Sequence, residues 1–288
     1  MKKSDEKFPN EFTLLLCTYK NDNPQHLKEC LDSIIEGTIH PSELVIVKDG
    51  PLTTELDKVM SAVNFPFETK VVFLSSNQTL GIARSVGLMT AKHNWVAIMD
   101  SDDICFPKRF EIQIRYLSEN PHVDILGGAI VEFDEFKENV VSERKVPVTH
   151  EEIANRMKIR NPFNSVTVML RKDTAVAAGN FRKFHGFEDY DLWSRMLANG
   201  AKCANFEEPL VYVRVGNGMY GRRRGLNYVV SEWRMQKQLY SLGITRFIEL
   251  VRNLVLRIPI RVLPENILKH LYLKLARQKP NYSHQEKE

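Results

Sequence analysis

One stretch limits this chain more than any other. The apolar run Trp95-Val96-Ala97-Ile98-Met99 leads directly into Asp100-Ser101-Asp102-Asp103. A short continuous apolar run bounded by polar residues reads as a strand buried on both faces, as in a parallel sheet covered by helices. Ligands of open α/β sheets collect beyond the carboxyl ends of the strands, so these aspartates stand where a substrate would. Side chains alternate along an extended chain, which puts Asp100 and Asp102 on one side. Carboxylate oxygens suit a hard cation, Mn²⁺ or Mg²⁺, held by one or two carboxylates plus a substrate's phosphates. A nucleoside diphosphate is the implied ligand. Turn and cap chemistry accounts for one or two of these residues, but not for three neighbouring carboxylates, whose repulsion a cation relieves. A calcium loop would place Glu111 at its twelfth position, yet Ile104 and Cys105 then occupy the places of an oxygen ligand and a glycine.

The flanking sequence has the alternation of an α/β fold. Strands are expected at residues 12–17, 44–47 and 70–74. A helix opens at Pro24 with Asn23 as its cap, presents Leu27, Leu31, Ile34 and Ile35 on one face, and stops at Gly37. Further helices are expected at residues 54–63, 81–88 and 107–120, so that the first 120 residues form a four-strand nucleotide-binding half. No GxGxxG or GxxxxGK[ST] follows the first strand, and residues 18–23 hold no glycine. Dinucleotide folds, P-loops and sugar nucleotidyltransferases are thereby disfavoured.

The second half is less regular. Strands are expected at residues 123–126, 129–133, 165–170 and 210–215, with a capping box at Thr149-His150-Glu151-Glu152. A second acidic cluster, Glu188-Asp189-Tyr190-Asp191, opens a helix that stops at Gly200. Acids in a first turn are favoured by the helix dipole, and a carboxylate there can equally act as a general base. Two other residues are open in the same way. Asp49, before Gly50, is a turn residue or a ligand at a strand end. Arg84 is a phosphate clamp or a solvated arginine. The loop with Arg222, Arg223 and Arg224 is a lid over a diphosphate or an ordinary loop.

A formal net charge of +4 over 288 residues requires no nucleic-acid partner. The four cysteines show no CxxC pair and read as buried thiols of a reducing compartment. Residues 1–10 lack the apolar core of a signal peptide, and no apolar run approaches the roughly 20 residues that span a bilayer. A cytoplasmic protein is expected. From Asn227 onward the chain turns helical, apolar and basic: Phe247, Ile248, Val251 and Val255 alternate with Arg246, Arg252 and Arg257. Such helices lie on anionic lipid or pack as an appendage. Pro259 and Pro264 are expected to break them, and the tail after Pro280 reads as disordered.

Five motifs in order carry a resemblance: Cys17-Thr18-Tyr19-Lys20, Val47-Lys48-Asp49-Gly50, Asn77 through Gly81 to Arg84, Asp100-Ser101-Asp102-Asp103, and Glu188-Asp189-Tyr190-Asp191-Leu192-Trp193. Together they resemble glycosyltransferase family 2, over about residues 12–215. Arg160-Asn161-Pro162-Phe163-Asn164 and the stretch from Tyr212 to Tyr220 are similar to bacterial transferases of O-antigen and exopolysaccharide assembly, including the amylovoran-biosynthesis type.

The resemblance implies a GT-A fold, a Rossmann-like mixed sheet flanked by helices. It divides the chain into a transferase domain at residues 1–225 and a basic, amphipathic helical region at 226–288. It implies a UDP-sugar donor, with Thr18, Tyr19, Asp49 and Arg84 near the nucleotide, and Asp100 and Asp102 on the metal and diphosphate. Asp189 would be the base, with Glu188 beside it. Galactose is the expected sugar, moved with inversion onto a polyprenyl-diphosphate-linked saccharide at the inner membrane surface. A UDP-glucose or UDP-N-acetylhexosamine donor, and a non-catalytic nucleotide-sugar-binding partner, are the alternatives. Ser85 stands where such sequences often have asparagine and Ser165 where they often have histidine, and residues 215–218 lack the histidine common after the last strand.

Overall fold

The computed structural model describes residues 11–215 and 225–262. Nine strands form one mixed sheet among the described residues. Its parallel half is β3 (Glu68–Phe73), β2 (Glu43–Lys48), β1 (Thr13–Thr18) and β4 (Trp95–Asp100), in that spatial order. The sheet continues antiparallel through β8 (Met169–Arg171) to β6 (Ile125–Phe133), then β9 (Cys203–Arg214) and the two-residue β5 (Ile104–Cys105). β7 (Val140–Arg144) pairs with β6. Residues 123–126 and 129–133 are thus not two strands: β6 runs through Gly127 and Gly128, fully buried. Residues 165–170 are not one strand either, because Ser165–Thr167 is a 3₁₀ turn that precedes β8. Thr167 and Asn164 hydrogen-bond the Gly128 carbonyl there, so side chains take over backbone pairing.

Alternation along the parallel strands divides the core. Leu14, Leu16, Ala97 and Met99 face α1 (Pro24–Ile35), α2 (Thr54–Ala62) and α4 (Arg109–Glu119). Leu15, Cys17, Val96 and Ile98 face α3 (Leu80–Thr90), α5 (His150–Met157), α6 (Lys172–Ala177) and α7 (Glu188–Ala198). α1 begins as expected: Asn23 Oδ1 accepts from the Gln25 and His26 amides, and Pro24 fills the first helical position. The capping box at Thr149 and Glu152 is also formed. α3 lies close to the sheet because it carries Gly87, where a Cβ would come 2.2 Å from Leu15 Cδ1 and 2.9 Å from Val47 Cγ2.

α8 (Leu226–Ser241) and α9 (Phe247–Val262) pack on the α7 side of the sheet. Tyr228, Met235 and Leu239 belong to the same core as Phe187 and Trp193, so the described part of this region packs on the sheet and its flanking helices. Pro259 does not break α9, which runs on to Val262. A proline inside a helix removes one backbone hydrogen bond, and the neighbouring bonds carry α9 past it. No helix among the described residues is long and apolar enough to cross a membrane. All four cysteines are free, and Cys30, Cys105 and Cys203 are buried. The Arg222–224 loop, Pro264 and the tail after Pro280 lie outside the described residues.

Candidate active site

Strand parity decides where Asp100 goes. It follows Val96 and Ile98 onto the α3 side, where Arg84 Nη2 donates to Asp100 Oδ1 at 2.6 Å. Arg84 is 3% exposed, which removes the solvated alternative. Its Nη1 lies 3.8 Å from Glu188 Oε1, so one guanidinium joins the two acidic clusters, which are 88 residues apart (188 minus 100). Burial works against the charge of Arg84, but Asp100 and Glu188 outweigh it and raise its pKa. Burial, with the charge of Asp189 next, pushes the Glu188 carboxyl up to about 7 despite Arg84.

The three acids of the second cluster have different partners. Asp189 accepts from Asn161 Nδ2 at 3.1 Å and from the Ser165 hydroxyl. Asp191 is buried and paired with Arg195 at 2.6 Å; that arginine also donates to the carbonyls of Ala178 and Asn180. Asp191 therefore fastens α7 to the loop after α6, and Glu188 and Asp189 face the site.

The extended chain ends at Asp100, so alternation does not carry on to Asp102. Residues 101 and 102 form a turn that leaves Asp102 exposed and buries Asp103. That turn is clamped from several sides. Asp103 Oδ1 accepts from the Arg214 amide at 2.9 Å, and Arg214 reaches the Asp102 carbonyl and Glu29. Ser101 Oγ donates to Asp22 Oδ2 at 2.6 Å. Burial and then the charges of Asp102 and Asp100 raise the Asp103 carboxyl well above its ordinary range. Beneath the turn, fully buried Arg109 donates to the Ile98 carbonyl at 2.8 Å.

Arg84, Asp100, Glu188 and Asp189 line one cleft of about 490 Å³, closed by Arg160, Asn161 and Ser165 and by Tyr228, Arg257 and Arg261 of the last two helices. A second hollow of about 550 Å³ adjoins it at Leu80, Gly186 and Glu188. Thr18 ends β1, Tyr19 follows it and Asp49 follows β2, on the same sheet edge but outside the cleft wall. The Asp49 carboxylate accepts from Asn77 Nδ2 and from the amides of Gln78 and Thr79. It shapes the loop that starts α3.

Among the described residues, no three His, Cys, Asp or Glu side chains converge as a protein-only metal cage. The donor set fits a hard cation completed by phosphate oxygens: Asp100 borders the cleft, Asp102 is exposed on the adjoining turn, and both offer only oxygen. From the sequence alone, Asp22, Arg214 and Arg257 had no assigned role in the site. Asp22 carried a local signal, since its Oδ2 accepts the Tyr19 amide three residues back. Arg257 carried none. It reads as a lipid-facing cation but points inward to Glu232, at 2.5 Å.

The profile of "Glycosyl transferase family 2" matches residues 13–180. The chain belongs to that family. It is 38% identical to an uncharacterized glycosyltransferase of Haemophilus influenzae, over 93% of this chain and all of that one. It is 36% identical to the amylovoran biosynthesis glycosyltransferase AmsE of Erwinia amylovora, over 91% of this chain and 98% of the relative. A third relative, at 32% over 93% and 97%, is the UDP-Gal:alpha-D-GlcNAc-diphosphoundecaprenol beta-1,3-galactosyltransferase of Escherichia coli. Among solved structures, S. aureus TarS 1-349 in complex with UDP-GlcNAc superposes with a TM-score of 0.65 at 17% identity, covering 87% of this chain and 72% of that one. The mannosyltransferase PcManGT of Pyrobaculum calidifontis, in complex with GDP-Man and Mn²⁺, gives 0.62 at 14% identity, over 93% and 76%. This family 2 glycosyltransferase accordingly has the GT-A fold, a mixed sheet flanked by helices with a helical C-terminal region.

Proposed function

We propose that this glycosyltransferase moves a hexose, galactose from UDP-galactose, with inversion onto a lipid-diphosphate-linked sugar in surface polysaccharide synthesis. The carrying observation is the cleft in which Asp189, held by Asn161 and Ser165, borders the Arg84–Asp100 pair. The names of two relatives, an amylovoran-biosynthesis enzyme and a galactosyltransferase acting on a diphosphoundecaprenol-linked sugar, supply the donor and acceptor class.

In this reading Asp189 takes the proton of the acceptor hydroxyl as its oxygen attacks the anomeric carbon, and the bond from that carbon to the diphosphate breaks, releasing UDP. Asn161 and Ser165 orient the carboxylate. Arg84, paired with Asp100 on the cleft wall, supplies a cation on the donor side, and Thr18, Tyr19 and Asp49 would flank the nucleotide. Asp100 and Asp102 would hold Mn²⁺ or Mg²⁺, which supplies positive charge to the leaving diphosphate.

The enzyme also sits on the membrane in this reading. Phe247, Ile248, Val255 and Leu256 on α9 are 61% to 75% exposed, an apolar face suited to the interface of the bilayer that carries the acceptor.

UDP release from a panel of UDP-sugars, with Mn²⁺ or EDTA and a lipid-diphosphate-linked N-acetylglucosamine, tests the proposal. Metal-dependent release with UDP-galactose, lost in Asp102→Ala and Asp189→Ala, is the expected result. Release with UDP-glucose or a UDP-N-acetylhexosamine instead would correct the donor. Intact UDP binding without turnover on any donor would overturn the transferase assignment for this cleft.

A further inference from the structure

The cleft has two chemically different ends. Asp100, Asp103 and the Arg84 ion pair form one and Arg160, Arg257 and Arg261 the other. Asp189 is linked to the first through its neighbour Glu188, 3.8 Å from Arg84, and to the second through Asn161, the neighbour of Arg160, which donates to it. We propose that this arginine end seats the diphosphate of the lipid-linked acceptor, so that two diphosphates, donor and acceptor, flank Asp189. The inference rests on the transferase reading above and adds the residues that recognise the acceptor.

The arginine end is built by contacts among three elements. Arg257 Nη1 donates to the Ile159 carbonyl at 2.8 Å, beside Arg160, and Asn253 Nδ2 donates to the Lys158 carbonyl at 2.7 Å. These bonds fasten α9 to the segment that supplies Asn161 to Asp189. From α8, fully buried Glu232 accepts from Arg257 Nε at 2.5 Å and from Arg261 Nη2 at 2.8 Å. One carboxylate thus fixes two guanidiniums at once. Opposite charge keeps Glu232 ionised against its burial, and its pKa is lowered. Arg257 and Arg160 also act on the Tyr190 hydroxyl, next in sequence to Asp189. Arg257 and Arg261 both turn their Nε and Nη2 groups to Glu232, so it is the excess positive charge of the three arginines over this one carboxylate that attracts phosphate oxygens.

A second, dianionic diphosphate would be repelled at the carboxylate end, and the arginine end offers the opposite charge. The same helix supports the assignment from its other side. Arg257, Ile260 and Arg261 border the cleft, and Ile248, Val251, Val255 and Leu256, on the other side of α9, are exposed. A lipid whose diphosphate rests on the arginines therefore has an apolar surface on the same helix for its chain.

Two synthetic acceptors test this, with the same N-acetylglucosamine and the same alkyl chain, one joined through a diphosphate and one by a plain glycosidic oxygen. The full chain and its Arg160→Ala and Arg257→Lys variants are compared on both. Wild type should prefer the diphosphate acceptor. Arg160→Ala should shrink that preference by about tenfold to a hundredfold, through KM rather than kcat, as expected for a lost charge-assisted contact. Arg257→Lys retains the charge opposite Glu232 but not the fork, and should shrink the preference less. UDP affinity by calorimetry should change by less than about twofold. Transfer in which both acceptors weaken equally would overturn the inference, as would a parallel loss of UDP affinity, which would assign the arginines to the donor. No transfer by wild type to either acceptor with any UDP-sugar would instead sink the transferase reading, and this inference with it.

Discussion

Arg84 donates to Asp100 at 2.6 Å from a position in which its guanidinium is 3% exposed. It is the charge shared by one acid of each cluster, Asp100 and Glu188. Removing one partner of a buried pair leaves the other uncompensated, at about 3–5 kcal/mol. Asp100 is 38% exposed, and water screens part of that loss. Arg84→Ala should therefore destabilise the fold by about 2–3 kcal/mol in urea unfolding and weaken UDP binding. Arg84→Lys should recover part of the stability but not the second contact toward Glu188.

Ser165 donates its hydroxyl to Asp189. Ser165→Ala leaves Asn161 as the remaining side-chain donor and should lower kcat by about tenfold, at the lower end for a hydrogen bond to a charged group. Steady-state kinetics with saturating acceptor measures it, and an unchanged kcat would exclude Ser165 from orienting the carboxylate.

Glu188 gives stability a pH dependence of definite sign. Its carboxyl rises from 4.5 to about 7 on folding, so the folded chain binds the proton more tightly than the unfolded one. That contribution is fully present below about pH 4.5 and is lost as pH rises through 7, by at most about 3 kcal/mol. Glu188→Gln should flatten the stability profile between those limits. Equal slopes for wild type and variant in denaturant titrations would contradict the shift.

Gly87 has no space for a methyl group, since a Cβ would meet Leu15 and Val47. Gly87→Ala gains helix propensity, but overpacking costs about 1–3 kcal/mol and prevails in a filled core. A lower Tm is expected, with α3 and hence Arg84 displaced from the sheet.

Deleting everything after Gly225 is a poor test of membrane docking, because Tyr228, Met235 and Leu239 would leave the core. Surface changes on α9 avoid that. Replacing Phe247, Ile248, Val255 and Leu256 with serine should leave Tm nearly unchanged and reduce partition onto anionic vesicles by more than about tenfold, given about 0.8 kcal/mol per buried methylene. Equal partition would remove α9 from the membrane contact.

The sequence by itself determined the parallel half of the sheet, the starts of α1 and α5, and the family. Those follow from local signals: apolar runs that fit only a doubly covered strand, a cap residue before a proline, and motifs in a set order. It also picked out, as carboxylates crowded at strand and helix ends, the acids Asp100, Glu188 and Asp189 that the fold brings to one cleft. What it left open were choices of partner. Arg84 could be solvated or buried, Glu188 and Asp191 could be ligand or fastener, and Arg257 could face lipid or Glu232; each answer depends on residues tens of positions away. β7 and α6 lacked a strong local pattern, and residues 165–170 alternated like a strand yet turned because Thr167 and Asn164 bond to Gly128. Tertiary structure decided these points because a side chain's charge is set by its own chemistry, whereas its burial and its counter-charge are set by whatever the rest of the fold brings against it.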